Sequence, residues 1–267
     1  MSKKIINIMK NTKEYSLEIA DNLKKELNKY GYETTYDFNP EAELCISVGG
    51  DGSFLKSVRD NNFPQMPFIG VNTGTLGFYP ELSPEDIEFF VREYSRGNFS
   101  LNKLNLLKGE IHSEDSTKEM YAINDISIKN EICKAIHLDV FIDDNHLQTI
   151  SGDGVIISTP MGSSAYNYSA GGALVYPSLN TMQITPIAPL ISNAYRCLSS
   201  GVIVPPKTKI VIKPELNYMS SAVLCVDGES CVMNKLTKCQ FFISDKTISI
   251  LSLGTFNYWK VIKEKFL

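Results

Sequence analysis

The sequence lacks several features that would assign it to a class at once. No apolar run among its 267 residues reaches the roughly 18 that a membrane-spanning helix needs, so we expect no membrane partner. Basic residues are not in excess. The formal net charge is −4, which argues against a protein that binds nucleic acid through a broad basic face. With 43% apolar and 21% charged residues, the composition is that of an ordinary folded globular protein.

Cysteine and histidine are few and scattered. The six cysteines form no Cys-x-x-Cys pair, and several lie in apolar strand-like runs, where cysteine acts as a small hydrophobic residue. The three histidines lack the spacing of zinc ligands. The N-terminal stretch Met1–Ile5 has a positive start but no long apolar segment or cleavage site after it. We therefore expect a cytoplasmic protein with reduced thiols.

The first hundred residues alternate strand-like and helical patterns. Short apolar runs at 5–9, 32–36, 44–48 and 68–71 predict strands, and apolar residues between Tyr15 and Tyr30 recur at helical steps. Ser83 as N-cap, with Pro84 at the first helical position, predicts a further helix that Gly97 ends. This alternation is typical of an α/β domain with a parallel sheet.

The pattern changes near residue 98. The following 155 or so residues hold mostly short β-like segments separated by turn signals, among them a run from Tyr121 to Ile128, and one helix is predicted at Ser163–Ser169. The length allows one large or two modest domains. We therefore predict an α/β domain at 1–98, a β-rich domain at 99–254, and a C-terminal tail at 255–267 that packs back on the first domain.

The most informative stretch is the glycine turn, Gly49-Gly50-Asp51-Gly52-Ser53, which lies between the strand at 44–48 and a helix predicted from Ser53 to Asp60. Such a turn presents backbone N–H groups to a ligand phosphate. Asp51 would supply a base or a magnesium ligand beside that phosphate. The turn has neither the Gly-Lys-Ser/Thr end of a P-loop nor the Gly-x-Gly-x-x-Gly pattern, and a tight connection without a ligand is the alternative.

The loop at 72–79 directly follows the next strand, so it should share one rim with the glycine turn. Its Phe78 and Tyr79 could stack on a base or belong to the core. In the run from Tyr121 to Ile128, the pair Asn124-Asp125 could hydrogen-bond adjacent ribose hydroxyls, the alternative being a solvated strand edge. A long small-residue segment at 158–173 follows Ser151-Gly152-Asp153-Gly154 and places serines at a predicted helix start.

In this order and at these distances, the four segments resemble those of the NAD kinase family. The resemblance implies transfer of the terminal phosphoryl group of ATP, or of polyphosphate, to the 2′-hydroxyl of the adenosine ribose of NAD, giving NADP. It implies a divalent metal, most often magnesium, held by no assigned protein side chain, and a homo-oligomer, commonly a tetramer. It also implies that the α/β domain binds nucleotide phosphates and that a sandwich-like second domain binds NAD.

The resemblance assigns roles by position. Asp51 matches the general base, Gly52 a neighbouring backbone contact, and the pair Asn124 and Asp125 the residues that bind ribose hydroxyls. Asp153 matches a carboxylate near the nicotinamide end, which in the family can come from a neighbouring subunit. The other implied substrate-binding residues, on the adenine side and along the pocket, are Phe78, Tyr79, Ser151, Met161, Ser164, Ala165, Tyr166, Asn167, Tyr168, Ser169 and Ala188.

The sequence departs from the family's pattern at four positions, two of them conservative hydroxyl replacements at Ser53 and Ser164, and two alternative functions accompany the resemblance. Asp125 stands where glutamate is frequent, one methylene shorter, and Ser151 stands where a basic residue is common. Lipid and sphingoid kinases share the Gly-Gly-Asp-Gly element, and phosphofructokinases share the Gly-Gly-Asp-Gly-Ser run, but the segments after Asn72 and Ser158 fit both less well. A non-catalytic NAD sensor is the other alternative, and it would be marked by loss of the Asp51 carboxylate.

Overall fold

The computed structural model describes residues 4–132, 134–215 and 221–267, so residues 1–3, Cys133 and residues 216–220 lie outside it. The helices are α1 Glu14–Lys29, α2 Asp51–Arg59, α3 Ile87–Arg96, α4 Tyr166–Ser169 and α5 Tyr258–Phe266, with 3₁₀ turns at Pro84–Asp86 and Met161–Ser164. The strands are β1 Ile5–Lys10, β2 Glu33–Thr35, β3 Leu44–Gly49, β4 Pro67–Asn72, β5 Ser100–Ser113, β6 Thr117–Ala122, β7 Asp125–Asn130, β8 Ile136–Ile142, β9 Asn145–Gly152, β10 Gly154–Ser158, β11 Met182–Ile187, β12 Val202–Val204, β13 Ile210–Pro214, β14 Ser221–Val226, β15 Glu229–Asn234 and β16 Leu236–Ser252.

The chain divides into two compact units. Unit 1 comprises Met1–Leu104 and Thr247–Leu267, and unit 2 comprises Asn105–Lys246. The borders therefore fall within the long strands β5 and β16, some residues away from the predicted 98/99 and 254/255. Domain borders were predicted from loop signals in the sequence. These two borders lie inside continuous strands, so no loop signal marks them. The tail, including α5, belongs to unit 1.

Unit 1 is built on a parallel sheet. Its strands lie in the order β2-β1-β3-β4, and the C-terminal end of β16 pairs parallel to β4 through Ser249 and Ile250. Every residue of β3 is buried, which is typical of a strand covered on both faces. One apolar core joins this sheet to α1 and α3, with Leu23, Leu27 and Phe90 fully buried in it. The predicted parallel α/β architecture is confirmed.

Unit 2 is built on antiparallel strand pairs with irregular segments between them. One sheet has the order β12-β11-β10-β7-β14-β15, and the other runs β6-β5-β16-β13-β8-β9. Their facing side chains alternate along each strand and form a single core that includes Ile126, Val155 and Phe241. The predicted β-rich, sandwich-like domain is therefore confirmed.

Three predicted elements differ in detail. Helix α2 begins at Asp51 rather than Ser53, so the carboxylate lies on the helix and not before it. The run from Tyr121 to Ile128 is not one strand, because β6 ends at Ala122 and β7 begins at Asp125. The segment predicted as the helix Ser163–Ser169 is a 3₁₀ turn followed by the short helix α4, because the chain bends at Ala165.

Within the described part of the chain, no helix combines the length and the apolar character that crossing a lipid bilayer demands.

One glycine in β4 lets the site loop fold back on the sheet. Asn72 N–H donates to Leu82 O at 2.8 Å, and Leu82 N–H donates to Gly70 O at 3.1 Å, so the chain after the loop runs beside β4. A Cβ atom at Gly70 would lie 2.7 Å from Cα of Pro80, which is main chain and cannot rotate away.

We expect Gly70→Ala to lower the free energy of unfolding by about 1–3 kcal/mol, the usual cost of overpacking a buried site. Gly74→Ala is the matched control, because the nearest atom to a Cβ there is Oδ1 of Asn72 at 3.9 Å, an ordinary contact. Urea titrations of both variants would check this, and equal unfolding midpoints would contradict the close approach at Gly70.

Candidate active site

Unit 1 gathers polar groups at one edge of its sheet. After β1 the chain passes through α1 to β2 on one side of β1, whereas β3 and β4 lie on its other side. The strand order therefore reverses between β1 and β3. Ligands of such sheets bind at the carboxyl ends of the strands beside this reversal. Asn11 follows β1, Gly50 follows β3, and Thr73 follows β4 at this edge. The amide Nδ2 of Asn11 donates to Ser53 Oγ at 3.3 Å, and Thr73 N–H donates to Gly49 O at 3.3 Å.

The glycine turn has two kinds of glycine. A Cβ at Gly49 would lie 2.3 Å from Oγ of Ser53, so this glycine is required by packing against the first turn of α2. A Cβ at Gly50 or Gly52 would meet no heavy atom within 4 Å. The protein therefore leaves open space over the turn at the two glycines that flank Asp51, where the first N–H groups of a helix lack intrahelical partners. These free N–H groups are suited to bind an anionic group.

The Asp51 carboxylate is held by main chain. Its Oδ1 accepts hydrogen bonds from Phe78 N–H at 2.8 Å and Tyr79 N–H at 3.0 Å. A Cβ at Gly77 would lie 2.5 Å from Oδ1, so glycine there allows the loop to approach the carboxylate. With Oδ1 occupied by two donors, Oδ2 is the oxygen of Asp51 that is placed to take a proton from a substrate.

The rings of Phe78 and Tyr79 belong to the core of unit 1. Both side chains are buried. Tyr79 stacks on Phe54 with ring centroids 4.8 Å apart, and Phe78 contacts the rings of Tyr258 and Phe266 in α5. The structure thus places these residues beside Asp51, and what they offer to the carboxylate is backbone N–H.

Lys265, in the last turn of α5, was not among the predicted site residues. Its ammonium Nζ is 3.1 Å from Oδ2 of Asp51 and 4.8 Å from the ring centroid of Phe78. A lysine in the last turn of a helix is common because it complements the helix dipole, so its pattern carries no functional signal. The contact with Asp51 joins positions 214 residues apart and depends on tertiary structure.

In unit 2, Asn124 lies in a bend between β6 and β7, and Asp125 is the first residue of β7. One carboxylate fixes this bend. Asp227 accepts from the N–H groups of Ile123 at 2.8 Å, Asn124 at 2.7 Å and Asp125 at 3.2 Å, and its own N–H donates to Asp125 O at 3.1 Å. These bonds take the place of strand pairing and explain why the predicted strand is interrupted here.

The other side of the bend is fixed by Thr159. Its N–H donates to Asn124 O at 2.9 Å, and its hydroxyl donates to Ile123 O at 2.6 Å. A Cβ at Gly162 would lie 2.1 Å from Asn124 O, so the 3₁₀ turn that starts at Met161 lies directly against the bend. Asn124 and Asp125 are consequently rigid and almost buried, with relative exposures of 8% and 6%.

Burial changes the acidity of Asp125. Loss of hydration, the largest cause, and the nearby Asp227 carboxylate together raise the pKa of its carboxyl group from 3.8 to about 7, with Lys129 acting in the opposite direction. The group can therefore change charge near neutral pH. A ligand with two hydroxyl groups would favour the ionised form, because a carboxylate accepts hydrogen bonds at both oxygens.

The small-residue segment covers the outer face of the six-stranded sheet. Its serine at position 163 is structural, since its Oγ donates to Pro160 O and accepts from Val175 N–H. Asn167 is fully buried and accepts from Thr185 Oγ1 at 2.6 Å, while its Nδ2 has no hydrogen-bond partner in the structure. The Tyr166 ring is exposed, with Lys129 Nζ 4.4 Å from its centroid. Of the other predicted residues here, Ser164 is buried, Met161 and Ala165 are half-buried, and Tyr168 and Ser169 are exposed.

Three predicted residues meet at the end of β9. Asp153 N–H donates to Ile187 O at 3.0 Å, and Gly152 packs so closely on Ala188 O that a Cβ would lie 2.7 Å from it. Ala188 has a φ of +43°, a strained value for alanine. Ser151 is buried, its Oγ 2.8 Å from Nδ1 of His137. The side chain of Asp153 is exposed.

The side chains of the described residues do not build a cage for a metal ion, since residues 4–132, 134–215 and 221–267 contain no suitable group of three His, Cys, Asp or Glu. Asp51 is the carboxylate at the phosphate turn. Magnesium is commonly bound by one or two carboxylates together with the phosphates of its substrate. The donor set therefore fits a magnesium ion that arrives with a nucleotide, and it does not fit a resident one.

Three residues of these sites were absent from the predicted set: Lys265, Asp227 and Thr159. The sequence Asp227–Gly228 predicts a two-residue hairpin turn, and both residues have positive φ. This pattern locates the turn but does not indicate a role for the Asp227 carboxylate. The carboxylate's role in holding a bend more than 100 residues earlier in the chain has no local signature.

Two family models match the chain. The ATP-NAD kinase N-terminal domain matches residues 3–99, and the ATP-NAD kinase C-terminal domain matches residues 123–249. Among curated relatives, the NAD kinase of Finegoldia magna is 38% identical over 268 residues, covering 99% of this chain and 98% of the relative. NAD kinase 2 of Listeria monocytogenes is 33% identical over 252 residues, covering 93% of each chain.

Solved structures agree on the fold. The yeast NADH kinase complexed with NADH has a TM-score of 0.82 at 22% identity, covering 98% of this chain and 87% of that one. An NAD kinase from Archaeoglobus fulgidus in complex with ATP has a TM-score of 0.78, also at 22% identity, covering 98% and 97%. From the matched domains and the relatives, we conclude that this chain belongs to the NAD kinase family.

Proposed function

We propose that the protein transfers the terminal phosphoryl group of ATP to the 2′-hydroxyl of the adenosine ribose of NAD, giving NADP. The observation that carries this proposal is the Asp51 carboxylate, fixed by two N–H bonds beside an open glycine turn. Family membership supports the same reaction, and the relatives in complex are bound to NADH and ATP. Polyphosphate as an alternative donor remains part of the proposal.

Each unit has a part in this reaction. In unit 1, the open N–H groups around Gly50 and Gly52 bind phosphates, and Oδ2 of Asp51 accepts the proton of the 2′-hydroxyl. In unit 2, the bend that Asp227 and Thr159 hold presents Asn124 and Asp125 to the ribose hydroxyls. A rigid bend fixes the ribose before the reaction, so less orientational entropy is lost in the transition state.

The remaining substrate contacts follow the residues that the resemblance assigned. The exposed rings of Tyr166 and Tyr168, with Ser164, Ala165 and Ser169, would bind the adenine side, and the end of β9 with Asp153 and Ala188 would lie toward the nicotinamide. The unpartnered Nδ2 of buried Asn167 is a donor that a base or ribose would satisfy. The Oγ of Ser151 faces His137, so Ser151 would help to shape this region.

Magnesium would be held by the nucleotide's phosphate oxygens with Asp51 nearby, and when bound it supplies positive charge that offsets the phosphates. The lipid-kinase alternative is disfavoured by the match of both domains to NAD kinase models. A sensor without turnover would lack the catalytic carboxylate, which is present and positioned.

We expect Asp51→Asn to lower the turnover of NAD to NADP roughly 10²–10⁴-fold, because the general base is lost. NAD affinity and unfolding temperature should change little, since asparagine retains one oxygen for the N–H groups of Phe78 and Tyr79. A coupled assay with ATP, magnesium and NAD measures the product.

The matched control is Asp60→Asn at the other end of α2, where the carboxylate pairs with Lys56 at the surface. This variant should retain normal turnover. Near-normal turnover in Asp51→Asn would remove Asp51 as the base, and a wild-type protein that binds NAD but forms no NADP would overturn the proposed function.

We expect NAD affinity to rise with pH through about 7. The pKa of Asp125 is raised to about 7, so its carboxyl group is largely protonated at pH 6 and ionised at pH 8. The ionised form makes the stronger hydrogen bonds to ribose hydroxyls, which corresponds to a decrease in Kd of about five- to tenfold. Calorimetric titration of NAD at pH 6, 7 and 8 measures it.

The Asp125→Asn variant should bind NAD more weakly at pH 8 and should lose this pH dependence. Asp144→Asn is the control, because that carboxylate lies in an exposed turn and pairs with Lys209. The same pH dependence in Asp125→Asn as in the wild type would show that another group titrates.

We further propose a cytoplasmic homotetramer. Unit 2 exposes apolar side chains close together in sequence, among them Ile191 at 64%, Leu198 at 50% and Ile203 at 47%, as expected of a subunit interface. Buried, unpaired Cys45, whose thiol pKa is raised to about 12 by burial, suits a reducing compartment. Light scattering should give the mass of four chains, and a monomer mass at micromolar concentration would contradict the assembly.

A further inference from the structure

We propose that Lys265 is a catalytic residue that binds the phosphoryl group during its transfer and the 2′-phosphate of the NADP product. The inference rests on the proposed function and extends it to the C-terminal helix. Asp51, Phe78 and α5, whose contacts place Lys265, all lie in unit 1.

Several contacts fix the position of α5. Val261 and Ile262 are buried, and the helix begins at an N-cap, Asn257, whose side chain accepts from Lys260 N–H at 3.0 Å. Tyr258 and Phe266 pack on Phe78, the residue whose N–H donates to Asp51. The Lys265 ammonium therefore lies next to Oδ2 of Asp51 because α5 and the loop with Phe78 pack together, and not because a long side chain happens to reach it.

The ion pair between Lys265 and Asp51 contributes little to the stability of the fold. The side chains of Lys265 and Asp51 are 32% and 26% exposed, and pairs of this kind contribute little to folding. Lys263 lies in the same last turn, complements the same dipole and is likewise exposed to solvent. What distinguishes Lys265 is its distance of 3.1 Å from the oxygen that takes the substrate proton.

The proposed reaction changes the charge of Asp51 and of the phosphoryl group, and both changes affect Lys265. The 2′-oxygen forms a bond to the terminal phosphorus, the bond from that phosphorus to the leaving ADP oxygen breaks, and the hydroxyl proton passes to Oδ2 of Asp51. Asp51 thereby becomes neutral, so Lys265 loses its anionic partner as negative charge spreads over the phosphoryl oxygens. Its ammonium is then free to pair with those oxygens. An interaction that strengthens as the reaction proceeds raises kcat rather than substrate affinity.

The same position predicts product recognition. NADP differs from NAD by a phosphate on the hydroxyl that Asp51 faces, and an ammonium 3.1 Å from Asp51 would bind it. Because NAD has no phosphate there, Lys265 should contribute to the affinity for NADP and little to that for NAD. This difference can be measured by binding alone, without turnover.

The test compares Lys265→Met with Lys265→Arg and with Lys263→Met, the control from the same helix turn. We expect Lys265→Met to lower kcat roughly 100-fold with an unchanged KM for NAD, in line with the loss of one charge-stabilising group. By calorimetry, its Kd for NADP should rise roughly tenfold or more while its Kd for NAD stays unchanged. Lys265→Arg should recover part of both effects, and Lys263→Met should match the wild type.

The outcomes separate this inference from the proposed function. Wild-type protein that forms no NADP contradicts the proposed function. If the wild type is active, normal kcat and NADP affinity in Lys265→Met overturn the role of Lys265. A higher kcat in that variant also overturns it, because the lysine would then merely block the base. Loss of activity in Lys265→Met with no recovery in Lys265→Arg and a lowered unfolding temperature would assign the residue to folding instead.

Discussion

The two hydrogen bonds from the main chain of Phe78 and Tyr79 to Oδ1 of Asp51 are the interaction on which the site in unit 1 depends. They fix one oxygen of the carboxylate and leave the other for chemistry. They also join the first turn of α2 to the loop after β4, which glycine at 77 allows to approach. An acidic side chain on a flexible loop could not be a base for one chosen hydroxyl.

A second carboxylate serves an analogous purpose in unit 2. The oxygens of Asp227 accept hydrogen bonds from three successive N–H groups and interrupt what would otherwise be one strand. Thr159 completes the support from the other side. In both units a side chain thus binds main chain from a distant part of the sequence. In unit 1 these bonds fix the carboxylate of Asp51. In unit 2 they fix the main chain of Asn124 and Asp125, the pair proposed to bind the ribose.

Burial explains why Asp125 can change charge near neutral pH. Asp125 lies almost out of water beside another carboxylate, so its pKa is raised and its ionisation is coupled to the ligand that it accepts. Asp51 is less buried, and it faces an ammonium group as well as two amide donors. The two acids are chemically identical side chains in different surroundings, since Asp125 is buried beside another carboxylate and Asp51 is held by two N–H groups and an ammonium group.

The sequence by itself determined the layered α/β plan of unit 1, the β-rich character of unit 2, and the importance of the glycine turn, because periodicity and glycine spacing are local properties of the chain. The pair Asn124-Asp125 was identified from its adjacent amide and carboxylate, although the bend that holds it was predicted as strand. Only the tertiary structure decided that Lys265 lies on Asp51, that Asp227 holds the bend, and that the rings of Phe78 and Tyr79 face the core. Those contacts join residues up to 214 positions apart. No local pattern records them, since they arise from the packing of whole elements.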